Sequence, residues 1–163
     1  MKPKLLIVDD DDEIRTQMKW SLNQDYEILQ AGDRIQAVDQ ARTAKPAVVL
    51  LDLGLPPNPA SPDEGLATLA ELLAIDPLTK IVIISGQGEK TNALQAVGAG
   101  AYDFLGKPVE MVELKLLLKR CFARMRQTGY SSPRWLCQGI DHSRRQVRFE
   151  ERSSLHSSRI VAS

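Results

Sequence analysis

Aromatic residues make up only 5% of the 163-residue chain, so any core it buries must be aliphatic. Cysteine is equally scarce. Cys121 and Cys137 form no CxxC pair, which excludes both a disulfide framework and a zinc site. No apolar run approaches the roughly 20 residues that a membrane-spanning helix needs. Met1-Lys2-Pro3-Lys4 leads into only four apolar residues, too few for a secretory leader. A soluble, cytoplasmic chain with no membrane contact is therefore expected. Neither charge sign is in excess, since the net charge is zero. The charge is nevertheless uneven. Residues 121–163 carry eight Arg against Asp141, Glu150 and Glu151, which leaves the first 120 residues net negative by five. An acidic globule of this kind does not suit direct nucleic-acid binding. The sequence also lacks internal repeats and a GxxxxGK[ST] phosphate loop.

What the chain does have is a regular series of short apolar runs. They are LLIV (5–8), YEILQ (26–30), AVVLL (47–51), KIVIIS (80–85) and AYDFL (101–105). Continuous Val, Ile and Leu suit strands buried on both faces, as in a parallel sheet. Helical patterns lie between the runs. Ile14, Met18 and Leu22 make one stripe, and Ile35, Val38 and Ala41 or Arg42 another. Leu66, Leu69, Leu72 and Leu73 form a third. Leu94 and Val97 mark a shorter helix ended by Gly98 and Gly100, and Leu114, Leu117 and Leu118 point inward from Val112–Arg126. Five β-α repeats with short connections predict an α/β fold: a flavodoxin-like, doubly wound, five-stranded parallel sheet in the order 2-1-3-4-5, with helices on both faces. Its ligand site is expected beyond the C-terminal strand ends, at the reversal of strand order.

The residues at those ends carry chemistry. LLIVDDDDEI places four aspartates after the first strand, where like charges repel. Asp9 and Asp10 end strand one, Asp52 ends strand three, Ser85 ends strand four, and Lys107 follows strand five. Clustered carboxylates have raised proton affinities. A hard divalent cation relieves the repulsion, and Mg²⁺ favours a few carboxylates plus water. Asp10 and Asp52 are the expected direct ligands, with Asp9 direct or through water, and the Gly54 carbonyl as a further oxygen. Asp11 and Asp12 have the plainer task of capping the first helix. Beside a metal, Asp52 is a candidate nucleophile for phosphoryl transfer. Lys107 pairs with Asp52 or with the phosphoryl group, and Ser85 donates to a phosphoryl oxygen.

The motifs LLIVDDDDEIR, VVLLDLGLP, IVIISGQGE and GAGAYDFLGKPV, in this order, resemble the receiver domain of bacterial two-component response regulators. The resemblance covers about residues 3–124. It implies that Asp52 is the phosphoacceptor, that Asp9 and Asp10 are acidic Mg²⁺ partners, and that Lys107 is the essential lysine, with a cis bond to Pro108. It also implies that Ser85 is the switch hydroxyl and Phe104 the switch aromatic. A sensor histidine kinase would donate the phosphoryl group. Ser85 and Phe104 would then move, changing the face made by the fourth helix, fifth strand and fifth helix. That face is the expected homodimer contact and controls a transcriptional output. Such a chain is not an enzyme beyond slow loss of its own phosphoryl group, a rate tuned in the family at the positions of Gly54 and Gln87.

One departure from the family stands out. In LGLPPNPASPDEGLATL, Gly65 lies thirteen positions after Asp52, about five more than usual for receivers. The Pro-rich insert either overhangs the site, meets a partner, or is a tolerated surface insertion. GAYDFLGKPV is similar to receivers of the nitrogen-regulator type. The long loop and MKWSL…GQGEKTNAL resemble regulators linked to PEP-CTERM exopolysaccharide systems. Residues 1–126 are expected to form the receiver. The Arg- and Ser-rich segment 127–163 is expected to be a disordered tail or a truncated or altered remnant. Two alternatives stay open: a pseudo-receiver acting as a binding scaffold, and a phosphatase with an aspartate nucleophile. Gly54 argues against the second, because those enzymes carry a second acid at that position.

Overall fold

The computed structural model describes residues 2–86 and 88–127, the last three by their backbone alone. Gln87 and all of the Arg- and Ser-rich segment beyond Gln127 lie outside the described residues. Ten elements alternate along the chain: β1 (Lys4–Val8), α1 (Asp12–Leu22), β2 (Glu27–Ala31), α2 (Arg34–Ala44), β3 (Val48–Asp52), α3 (Asp63–Ile75), β4 (Lys80–Ser85), α4 (Lys90–Gly98), β5 (Asp103–Gly106) and α5 (Met111–Gln127). All strand pairings are parallel, in the order β2-β1-β3-β4-β5. This is the expected sheet.

The reason for the unbroken apolar runs is visible in the packing. Alternate strand residues face opposite sides. Leu5, Ile7, Val48, Leu50, Val82 and Ile84 pack with Met18 and Leu22 of α1 and with Leu114, Leu117, Leu118 and Phe122 of α5. Leu6, Val8, Val49, Leu51, Ile81 and Ile83 pack with Ala37 and Ala41 of α2, Leu69 and Leu72 of α3, and Ala96 of α4. Both faces are thus covered, and polar residues are kept out of β1, β3 and β4 until their ends. The two layers differ in filling. The α1/α5 layer holds the stacked rings of Tyr26 and Phe122, with centroids 5.0 Å apart. On the other side, alanines let α2 and α4 approach closely.

Small shifts follow from this packing. Strand two starts at Glu27, because Tyr26 turns into the core instead of pairing. Strand three runs one residue further than its apolar run, so that Asp52 itself pairs in register with Ile84. Strand five starts at Asp103 rather than residue 101. In α2 the buried positions are Ala37, Val38 and Ala41, while Ile35 is 80% exposed. In α4 the buried positions are Ala93 and Ala96, and Leu94 is exposed. In both helices the largest apolar residue marks the outer face, while the small Ala37, Ala41 and Ala96 pack into the layer against the sheet. Gly65 is required by the same closeness. A Cβ there would stand 2.3 Å from the Leu53 Cα, so only glycine lets the start of α3 pass that backbone.

Candidate functional site at the C-terminal edge of the sheet

β1 lies between β2 and β3, so the crossovers leave it on opposite sides and open a crevice at its C-terminal end. Asp9 follows Val8 into this crevice and is 2% exposed. Its backbone N–H donates to the Ala31 carbonyl at 3.1 Å, which extends the ladder and fixes the residue. Asp9 Oδ1 accepts from the Asp11 N–H at 2.9 Å. Asp11 caps α1, accepting from Glu13 N at 2.9 Å and Ile14 N at 3.3 Å. Two of the four consecutive aspartates are therefore spent on local geometry, one as a cap and one, Asp12, within the first helical turn where the helix dipole favours it.

Asp52 ends β3 and is 6% exposed. Its Oδ1 accepts from the Gly54 N–H at 3.1 Å, and its Oδ2 accepts from Lys107 Nζ at 3.0 Å. Lys107 Nζ also lies 3.7 Å from Asp9 Oδ2, so one ammonium serves two carboxylates. The lysine is held in place by its own backbone, whose N–H donates to the Ser85 carbonyl at 2.7 Å, and its peptide bond to Pro108 is cis. Ser85 is the last residue of β4, paired with Gly106, and is 3% exposed. Phe104 sits one strand over, paired with Ile83, and is partly buried against the α2/α3/α4 layer.

Asp9, Asp10 and Asp52 each offer one carboxylate oxygen, all within 4.8 Å of one another. This all-oxygen anionic set, with Asp10 exposed towards solvent, fits a hard divalent cation that retains water. Burial, the largest cause, and the neighbouring Asp52 and Asp10 charges push the Asp9 carboxyl up to about 6, against the lowering effect of the Asp11 N–H and Lys107. The expected rise in proton affinity is thus present at Asp9. For Lys107, burial alone would lower the pKa. The Asp52 charge and hydrogen bond, followed by Asp9 and Asp10, outweigh it and hold the ammonium above its ordinary range. An ammonium stabilised by three acids is firmly charged, which suits it to meet an anion.

The fold therefore brings Asp9, Asp10, Asp52 and Lys107 together and sets Ser85 and Phe104 on the adjoining strands. Gly54 enters through its N–H, while Gln87 lies outside the described residues. Two further residues, Arg15 and Glu89, end two of the quoted motifs and shape the site in ways the sequence assigns to neither. Arg15 of α1 donates to the Asp9 carbonyl and to the Asp12 carboxylate, clamping the acidic turn. Glu89 Oε2 accepts from the Gly86 N–H at 2.9 Å and shapes the turn after Ser85. The signal for Arg15 was its position, one helical turn beyond the acids. Glu89 gave none, because its partner is a backbone group.

The chain is similar to known proteins over this fold. Residues 5–119 match the response regulator receiver domain family. The chain is 35% identical over 109 residues to the chemotaxis protein CheY of Listeria monocytogenes, covering 66% of this chain and 87% of that protein. It is 32% identical over 120 residues to the transcriptional regulatory protein KdpE of Staphylococcus aureus, covering 73% of this chain and 49% of that one. Among solved structures, NtrX from Brucella abortus superposes with a TM-score of 0.70 at 31% identity, over 78% of this chain and 28% of that chain.

Proposed function

The chain belongs to the response regulator receiver domain family, and on that premise we propose that Asp52 accepts a phosphoryl group from a sensor histidine kinase. The observation that carries this reading is the pairing of Asp52 with Lys107 at 3.0 Å inside a cluster of three acids. An Asp52 carboxylate oxygen attacks phosphorus, the bond from phosphorus to the donor nitrogen breaks, and an aspartyl phosphate forms. Asp9, Asp10, Asp52 and the Gly54 carbonyl are the residues that would hold Mg²⁺. When bound, Mg²⁺ supplies positive charge to the transferring phosphoryl oxygens. Lys107 leaves its contact with Asp52 for a phosphoryl oxygen, and the Ser85 hydroxyl donates to another.

Phe104 follows Ser85 inward, and the face built by α4, β5 and α5 changes shape. Homodimerisation and transcriptional control pass through that face, and KdpE, as a transcriptional regulatory protein, supports such an output. Residues 1–126 make up the receiver in this reading, which acts in the cytoplasm as a switch and not as an enzyme with turnover. Among the described residues no helix is long and apolar enough to cross a membrane. Intact mass after incubation with Mg²⁺ and acetyl phosphate tests the reading. Wild type gains one phosphoryl group and Asp52→Asn gains none. No gain in a folded wild type that binds Mg²⁺ would turn the reading to a binding scaffold.

A further inference from the structure

The peptide between Asp9 and Asp10 joins two of the three acids in the cluster. Hydrogen bonds fix the chain around it. The Asp9 N–H donates to the Ala31 carbonyl at 3.1 Å, and the Asp9 carboxylate accepts from the Asp11 N–H at 2.9 Å. Arg15 holds the peptide itself, since its Nη1 donates to the Asp9 carbonyl while its Nη2 donates to the Asp12 carboxylate. A peptide unit is planar, so a carbonyl held in one direction also directs the bond to the next Cα. Arg15 thereby sets how the chain enters Asp10. Asp10 is exposed, so packing does not hold it. The guanidinium is itself seated. The Arg15 side chain is 14% exposed, and its Nε is buried with no hydrogen-bond partner among the described residues. Gly32, just beyond β2, leaves it room: a Cβ there would stand 3.2 Å from Nη1 and 3.7 Å from Cζ. Burying a cation with one donor unpaired is a poor way to gain stability. What the guanidinium orients is the better account of its place.

We infer that Arg15 is a positioning residue for the divalent cation, holding the Asp9–Asp10 peptide so that the Asp10 carboxylate meets those of Asp9 and Asp52. The inference rests on the reading that these acids hold Mg²⁺. Two effects of Arg15 on the cation oppose each other. Its positive charge repels Mg²⁺, so loss of the charge alone would tighten binding. Its hydrogen bond orders a ligand in advance, so loss of the bond would weaken binding. The second effect wins, because the Asp12 carboxylate already neutralises the guanidinium and the pair leaves little field beyond itself. The sign of the change in Mg²⁺ affinity therefore separates positioning from electrostatics. An Arg15 that only stabilised the fold would lower the Tm when removed and leave the affinity of the folded chain unmoved.

The test titrates the full chain with MgCl₂ and follows backbone amide signals around the site by nuclear magnetic resonance, while signals from the sheet body report the fold. Wild type, Arg15→Ala, Arg15→Lys and Gly32→Ala are compared. Arg15→Ala is expected to bind Mg²⁺ about tenfold more weakly, as for loss of other groups that orient a metal's ligands. Arg15→Lys keeps the charge but lacks the planar fork, and is expected to bind severalfold more weakly. Gly32→Ala keeps Arg15 and crowds its guanidinium, with a smaller loss expected in the same direction. Unchanged or tighter Mg²⁺ binding by a folded Arg15→Ala would overturn the inference. Should Arg15→Ala fail to fold, Arg15→Lys decides: weaker binding supports the inference and equal binding overturns it. A wild type that binds no Mg²⁺ overturns it together with the metal reading on which it rests. Wild-type binding that the variants leave unaltered overturns the inference alone.

Discussion

The two edges of the sheet treat charge in opposite ways. At the N-terminal edge, Lys4 starts β1 and Lys80 starts β4, and both are partly buried. Lys4 Nζ donates to the Ala44 carbonyl at 3.2 Å, and Lys80 Nζ lies 4.7 Å from the centre of the Tyr102 ring. Their apolar stems cover the core while their heads find ordinary contacts, as long basic side chains do. At the C-terminal edge, Asp9 and Asp52 are short, nearly inaccessible and close together, with Lys107 shared between them. Charge at the first edge sits where the fold tolerates it. At the second it sits where the fold resists it, as the raised Asp9 carboxyl records. A chain selected for stability alone would not keep the second arrangement. Its use has to lie in what the carboxylates bind.

The comparison can be sharpened by substitution. The largest effect is expected in the apolar body of a strand. Leu50→Ala, two residues before Asp52, should cost about 2–5 kcal/mol in urea unfolding, because it empties a site closed on all sides. Next comes Lys107→Ala in the metal-free protein. It leaves Asp9 and Asp52 without their shared cation and should cost about 1–3 kcal/mol, between the values for exposed and for buried pairs. Added Mg²⁺ should raise the Tm of this variant more than that of wild type. An equal Mg²⁺ response in both chains would show that the ammonium and the cation do not act on the same acids.

The smallest effect has the opposite sign. Asp9 binds its proton more tightly in the folded chain, at about 6 against an ordinary 3.8. Between these values the folded state holds more protons than the unfolded one, so this group's contribution to stability falls as pH rises through the window. Above it, Asp9→Asn removes a charge the fold resists. Without metal, the variant should melt a few degrees above wild type at pH 7.5, with the gain shrinking towards pH 5. In Mg²⁺ the order should reverse, because wild type regains a ligand and the variant does not. A gain that does not change with pH would mean that Asp9 is not the group that titrates.

Much of the molecule was legible in the sequence. The five apolar runs lie within a residue or two of the strands, because a strand buried on both faces leaves no polar position in its body. The acids were legible for the related reason that they interrupt such runs where strands end. Helix faces were read less well. Ile35 and Leu94 suggested inward stripes, yet both face outward, since periodicity detects bulk whereas the tight approach of α2 and α4 selects alanine. Arg15 and Glu89 end two of the motifs, but their roles stay hidden there because their partners include backbone groups, which no side-chain pattern reveals.

The sequence by itself determined the alternation of strands and helices, the strand order, and which residues reach the C-terminal edge. These follow from local patterns of period two and period 3.6 and from the doubly wound order that five β-α repeats favour. Only the tertiary structure decided that Lys107 would be shared between Asp52 and Asp9, that Asp9 would be the acid most deprived of solvent, and that the Pro59 carbonyl would lie against Gly54. Each of these is a distance between segments remote in sequence or joined by an irregular loop. Such distances are fixed by how the layers close on one another, which no local pattern encodes.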